Sequence, residues 1–271
     1  GYGLRTRADA EAIGAQLAAE LCADATDVLA CLREQPFQSL ADWHQTAGVF
    51  GPNWGPSVEG AGGVLPDTPE HLIAEPDFQA RGAILGTNKN EWDLFALTSF
   101  RFVTSQAMLQ SAIDAQFGSD ASRVEQQYTA DSDSAANAVY TRLMSDILFR
   151  CPTRRLARMT SDKGGLIYLY SFEQGAAIHG QELDLVFGDA SSAATVAAPL
   201  LSLAMQDYWV HFAQTSTPNS APLPIWPRYQ TSSDQHMTLN EPPSIGAALS
   251  QSDCDFWDDF LAEGGAISLG L

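Results

Sequence analysis

The chain has 271 residues, 45% of them hydrophobic, which suits one large packed domain or two small ones. Thirty-three acidic against fourteen basic residues give a formal charge of −19, spread along the chain, and this speaks against nucleic acid, whose phosphates need clustered Lys and Arg. No apolar run reaches the roughly 20 residues of a membrane helix, and Gly1 to Asp9 is too polar for a signal peptide's core, so the chain as given reads as soluble.

Ala8 to Leu21 places Ile13, Leu17 and Leu21 at fourfold spacing and reads as an amphipathic helix that ends at Cys22. Thr26 is placed to cap a second helix through Cys31 and Leu32, which must stop near Pro36. Gly48 to Pro69 is rich in Gly and Pro and reads as an irregular loop. Ala83-Ile84-Leu85-Gly86, followed by the polar Thr87-Asn88-Lys89-Asn90, has the pattern of a buried strand opening into a loop, with Glu91 just beyond its end.

Residues 104 to 128 and 135 to 160 carry helical patterns, the second broken or restarted near Pro152. Leu166 to Phe172 is rich in β-branched and aromatic residues and predicts a strand. His179 follows in a segment between Gly175 and Gly180. An apolar helix is expected over 197–214, closing at Thr217-Pro218-Asn219; a weaker strand is expected around Met237 to Leu239, and a last helix over 252–261 capped by Ser252 or Asp253. Strands alternating with helices argue for an α/β sheet. Two strong strands and one weak one are too few for a self-sufficient sheet, so the chain reads as part of one.

Cys22, Cys31, Cys151 and Cys254 form an even set without a Cys-x-x-Cys pair, and their spacings do not suit zinc. They are either buried thiols of a cytosolic protein or two disulfides of an exported one.

Several strings, collinear over nearly the whole chain, resemble the type B carboxylesterases and cholinesterases, a branch of the α/β-hydrolases. Cys22 with Cys31-Leu32-Arg33 resembles that family's small disulfide loop. Gly86-Thr87-Asn88-Lys89-Asn90-Glu91 is similar to its Gly-x-Asn-x-Asp-Glu-Gly segment, with Asn90 in place of the usual Asp and Trp92 in place of Gly. Ser145-Asp146 through Cys151-Pro152, the histidine string His179-Gly180-Gln181-Glu182-Leu183 with Val186-Phe187-Gly188, and Trp209 through Asn219 follow in the family's order. Trp226-Pro227, Leu239-Asn240 and Cys254-Asp255-Phe256-Trp257 complete the set.

The resemblance implies that residues 1–271 form the C-terminal portion of a single α/β-hydrolase domain, a mostly parallel sheet with flanking helices. It implies the pairs Cys22–Cys31 and Cys151–Cys254, hence a secreted or periplasmic protein, and no cofactor or metal. It makes Glu91 the acid and His179 the base of a Ser–Glu–His triad, and Glu182 a buried carboxylate outside the triad. It also places Phe50, Trp54, Leu94 and Phe95 along the substrate pocket. The chemistry agrees, because imidazole titrates near working pH and the order acid then histidine is the one α/β-hydrolases use.

The nucleophile elbow, Gly-x-Ser-x-Gly, is absent; Gly55-Pro56-Ser57-Val58-Glu59-Gly60 has the wrong spacing. The expectation is therefore that the serine and the oxyanion loop lie on a separate N-terminal chain of the same precursor, and that this chain is inactive alone. The alternative is a non-catalytic, cholinesterase-like binding or adhesion module on the same fold.

Overall fold

The computed structural model describes residues 4–45, 55–99, 102–265 and 267. The described residues divide into two compact units, one up to Glu75 and one from Pro76 onward.

In the first unit a short strand β1 (Arg5–Thr6) pairs in parallel with β2 (Ser57–Val58). Helix α1 (Arg7–Leu21) starts at a capping box in which Thr6 and Asp9 satisfy each other's backbone N–H groups. Helix α2 (Val28–Glu34) follows, then α3 (Phe37–Gln45) and α4 (Pro69–Ala74). Asp27 rather than Thr26 caps α2, its carboxylate accepting from the Ala30 N–H at 3.0 Å. Cys22 and Cys31 are joined, closing the loop between α1 and α2.

The second unit is built on a four-stranded sheet of β3 (Ala83–Asn88), β4 (Ile167–Phe172), β5 (Gln235–Leu239) and β6 (Ser244–Ala247), in that spatial order. The first three strands are parallel and β6 is antiparallel. Helix α5 (Glu91–Ser99) leaves β3 directly. Next come α6 (Gln106–Phe117), α7 (Ala121–Gln127), α8 (Asp133–Ser145) and α9 (Cys151–Asp162), which leads into β4. Helices α10 (Gln181–Val186), α11 (Ala193–Ala197) and α12 (Pro199–Thr215) separate β4 from β5, and α13 (Gln251–Ala262) closes the unit.

Alternation along β4 serves two cores. Tyr168 and Phe172 face Leu201, Met205 and Tyr208 of α12, together with Trp226, Met237 and Leu239. Ile167 and Leu169 face Ala157 of α9, Tyr229 and Leu249. Trp226, in the first of these cores, donates its indole N–H to the Leu169 carbonyl of β4 at 3.0 Å. Cys151 and Cys254 are bonded between α9 and α13, so both expected disulfides are present. By loop-closure entropy the bridge over 103 residues contributes about 4–5 kcal/mol and the one over 9 residues roughly 2.5–3.

Several expectations need correction. The run 104–128 splits at Gly118, whose φ of +52° ends α6 and leads into a 3-10 turn over Gly118–Asp120 before α7. The second run does restart near Pro152, as expected: α9 begins at Cys151 with Pro152 in its first turn, where a missing N–H is tolerated, and residues 146–150 form a π turn joining α8 to α9. Ala83 to Leu85 are half-buried, not buried, because among the described residues β3 pairs only with β4. Helix α13 starts one residue early, from Ser250 at φ +46° with no side-chain cap.

The π turn buries Asp146 completely. The Tyr128 hydroxyl donates to its Oδ2 at 3.1 Å and Arg150 lies 3.2 Å from its Oδ1. Burial pushes the Asp146 carboxyl up to about 6, with Arg150 pulling the other way. The native state thus holds a proton that the unfolded chain has already lost between about pH 4 and 6, and stability falls as pH rises through that window. Asp146→Asn lacks this titration. Relative to wild type, its unfolding free energy should rise by roughly 2–3 kcal/mol from pH 4 to pH 7; urea melts at both pH values measure the difference, and a constant gap contradicts the assignment.

Candidate active site

Strands β3 and β4 end in register, Asn88 opposite Phe172. Pairing continues past their ends: the Lys89 N–H donates to the Phe172 carbonyl at 3.0 Å, and the Asn90 N–H to the Ala177 carbonyl at 2.9 Å. Asn90 also bridges Ile178, and its side-chain amide donates to the Ala176 carbonyl at 2.8 Å. An ionised Asp, the residue usual in the resembling segment, cannot make that last bond. These contacts deliver Glu91, the first residue of α5, beside His179.

His179 Nδ1 lies 2.6 Å from Glu91 Oε2. The Glu91 side chain is 7% exposed and the His179 side chain 43%, so the acid is enclosed and the ring reaches the surface. Glu91 Oε1 accepts from the Asn88 backbone N–H at 2.7 Å. Burial raises the proton affinity of Glu91, opposed by the Asn88 bond and by His179. A carboxylate at Nδ1 favours the tautomer protonated there and leaves the Nε2 lone pair free to take a proton.

The ring is walled by aromatics. Phe95 lies 4.9 Å and Phe149 5.2 Å from it, centroid to centroid, and the two phenyl rings stack at 6.0 Å. Phe95 was an expected pocket residue; Phe149 was missed. It stands on the π turn, a geometry frequent at functional sites, and only the position two residues before Cys151 in a resembling string pointed to it. Leu94 is half-buried on α5. Phe50 and Trp54 lie outside the described residues. Glu182, expected to be buried, is half-buried on α10 and accepts from the Asn88 side-chain amide. Trp92, in the position of a usual Gly, is 3% exposed and donates its backbone N–H to Ser145 Oγ at 3.0 Å, fixing the start of α5. Ser57 belongs to β2. Among the described residues no group of His, Cys, Asp or Glu side chains could hold a metal ion, and no helix is long and apolar enough to cross a membrane.

The sheet with its helices is a partial α/β-hydrolase fold, with an acid–histidine pair at the C-terminal ends of adjacent parallel strands. Residues 4–257 match the carboxylesterase family, and the chain belongs to it. It is 27% identical over 280 residues to dog (Canis lupus familiaris) carboxylesterase 5A, covering 91% of this chain and 47% of the relative. It is 27% identical to human (Homo sapiens) carboxylesterase 3 over 237 residues, covering 74% and 41% of the two chains. Acetylcholinesterase of Leptinotarsa decemlineata is 27% identical over 267 residues, covering 86% and 42%. The chain spans about half the length of the curated relatives it matches.

Gly86 lets the two strands approach here. A Cβ at that position would stand 2.2–2.3 Å from three atoms of the Tyr170 ring, its partner across β4. Gly86→Ala should destabilise the protein by about 1–3 kcal/mol through overpacking. Gly14→Ala in α1, with nothing within 4 Å of the added Cβ, should stabilise it by roughly 0.5–1 kcal/mol. Thermal unfolding of both variants checks the contrast, and equal effects would refute the packing argument.

Proposed function

We propose that this chain supplies the acid and base of a serine carboxylesterase that hydrolyses carboxylic esters through an acyl-enzyme. The observation that carries the reading is the 2.6 Å contact between enclosed Glu91 and partly exposed His179. In the proposed cycle His179 Nε2 takes the proton of a serine hydroxyl as the oxygen attacks the ester carbonyl. It then returns that proton to the departing alkoxide, leaving an acyl-serine and free alcohol. A water deprotonated by the same imidazole attacks the acyl-serine, and the imidazolium hands that proton to the departing serine oxygen, releasing the carboxylic acid and restoring the serine hydroxyl and the neutral ring. Glu91 orients the ring throughout and stabilises the imidazolium formed at each transfer.

The serine and the oxyanion donors are assigned to polypeptide N-terminal to these residues, since no Gly-x-Ser-x-Gly occurs among them. In this reading that polypeptide is a separate chain of the same precursor that stays associated, and this chain alone is inactive. Export to an oxidising compartment is supported by the two disulfides. Phe95 and Phe149, with the half-buried Leu94 on the same helix as Phe95, line the site where the ester binds.

The native protein should react with a fluorophosphonate probe on the companion chain and not on this one. His179→Ala should lower kcat for a chromogenic carboxylic ester by about three to six orders of magnitude with the fold intact. A variant that keeps its rate, or a label on this chain, would end the proposal; unchanged ligand binding without hydrolysis in either protein would favour an adhesion module.

A further inference from the structure

Asn88 is fully buried at the end of β3 and bonds to Glu91, Ile178 and Glu182. Its backbone N–H holds Glu91 Oε1 at 2.7 Å. Its side-chain amide donates to the carbonyl of Ile178, the residue before His179, at 2.7 Å, and also to Glu182 Oε2. Carbonyl and carboxylate oxygens only accept, so both N–H groups of the amide are committed and its orientation is determined. One side chain therefore ties the strand that bears the acid to the loop that bears the imidazole, and pins a second carboxylate in place. Glu182 matters electrostatically as well: after burial it adds to the proton affinity of Glu91.

We propose that Asn88 is a positioning residue for the Glu91–His179 pair: its amide clamps Ile178 and Glu182, fixing the imidazole against Glu91 and holding the Glu182 charge at a set place beside them. The assignment rests on the hydrolase reading above. Replacing the amide by a carboxylate turns two attractions into repulsions, carboxylate against carboxylate and carboxylate against carbonyl. Replacing Glu182 by Gln in that background supplies an amide on the opposite side, so that donor and acceptor trade places and one of the two lost bonds is rebuilt.

The test is a double-variant cycle in the native enzyme with its companion polypeptide, using Asn88→Asp, Glu182→Gln and the two combined. For a chromogenic carboxylic ester, Asn88→Asp should lower kcat about 100-fold with KM unchanged, the scale expected when reacting groups are displaced by about 1 Å. The low-field proton resonance of the His179 Nδ1–H, seen in protein labelled with nitrogen-15 histidine, should disappear. Adding Glu182→Gln should recover kcat at least about tenfold beyond the product of the single effects, and bring the resonance back. Should Asn88→Asp not fold, Asn88→Ser loses both side-chain bonds without adding charge and should show the same loss of the resonance.

A folded Asn88 variant with wild-type kcat and resonance, or single effects that simply multiply, overturns the assignment. If His179→Ala abolishes hydrolysis in the same preparation, that outcome removes the role of Asn88 alone. If His179→Ala leaves hydrolysis intact, the hydrolase reading itself has failed.

Discussion

Glu91 and His179 are 88 residues apart in sequence and meet because β3 and β4 run parallel and finish side by side. Parallel strands put both C-terminal ends on one edge of the sheet, and in open α/β folds that edge is where sites form. What distinguishes this edge is that hydrogen bonding does not stop where the strands do. Lys89 and Asn90 keep pairing with Phe172 and Ala177, so the two outgoing loops stay tied to each other past the ends of the strands. The geometry of the pair therefore rests on backbone order as well as on the contact between its side chains.

The arrangement is held against an opposing electrostatic cost. Enclosing Glu91 disfavours its charge, and Glu182 adds repulsion; the Asn88 N–H and the His179 ring offset this. A solvated carboxylate would ionise more readily but would hold the ring less firmly, because water would compete for Nδ1. Enclosure trades ease of ionisation for orientation, while the imidazole itself stays 43% exposed. Phe95 and Phe149 complete the confinement by restricting how far the ring can turn.

Much of this was legible in the residues. Apolar runs revealed β3, β4 and β5, and helical period revealed α1 and α12, because each packs apolar side chains wholly or half out of water, from Leu17 in α1 to both faces of β4. The acid, the histidine and both disulfide pairs were reached through resembling strings and could not have come from period or spacing. Phe149 escaped because a π turn inserts one residue into an otherwise helical stretch, which hydropathy does not register. Strand β6 escaped because Ser244-Ile245-Gly246-Ala247 is an edge strand with a single large apolar residue, itself exposed. The amide of Asn88 looked like one polar loop residue among four; its partners lie 90 and 94 positions away and become visible only once the loops are folded together.

The central claim is spatial: the free nitrogen of His179 faces a serine hydroxyl supplied from outside these residues. A crystal structure of the native protein after reaction with an organophosphate tests it most directly. The account predicts phosphorus bonded to a serine Oγ of the companion polypeptide, with His179 Nε2 within about 3 Å of that oxygen and Glu91 still on Nδ1. A modified serine remote from His179, or an adduct formed with the Glu91–His179 pair separated, would contradict it.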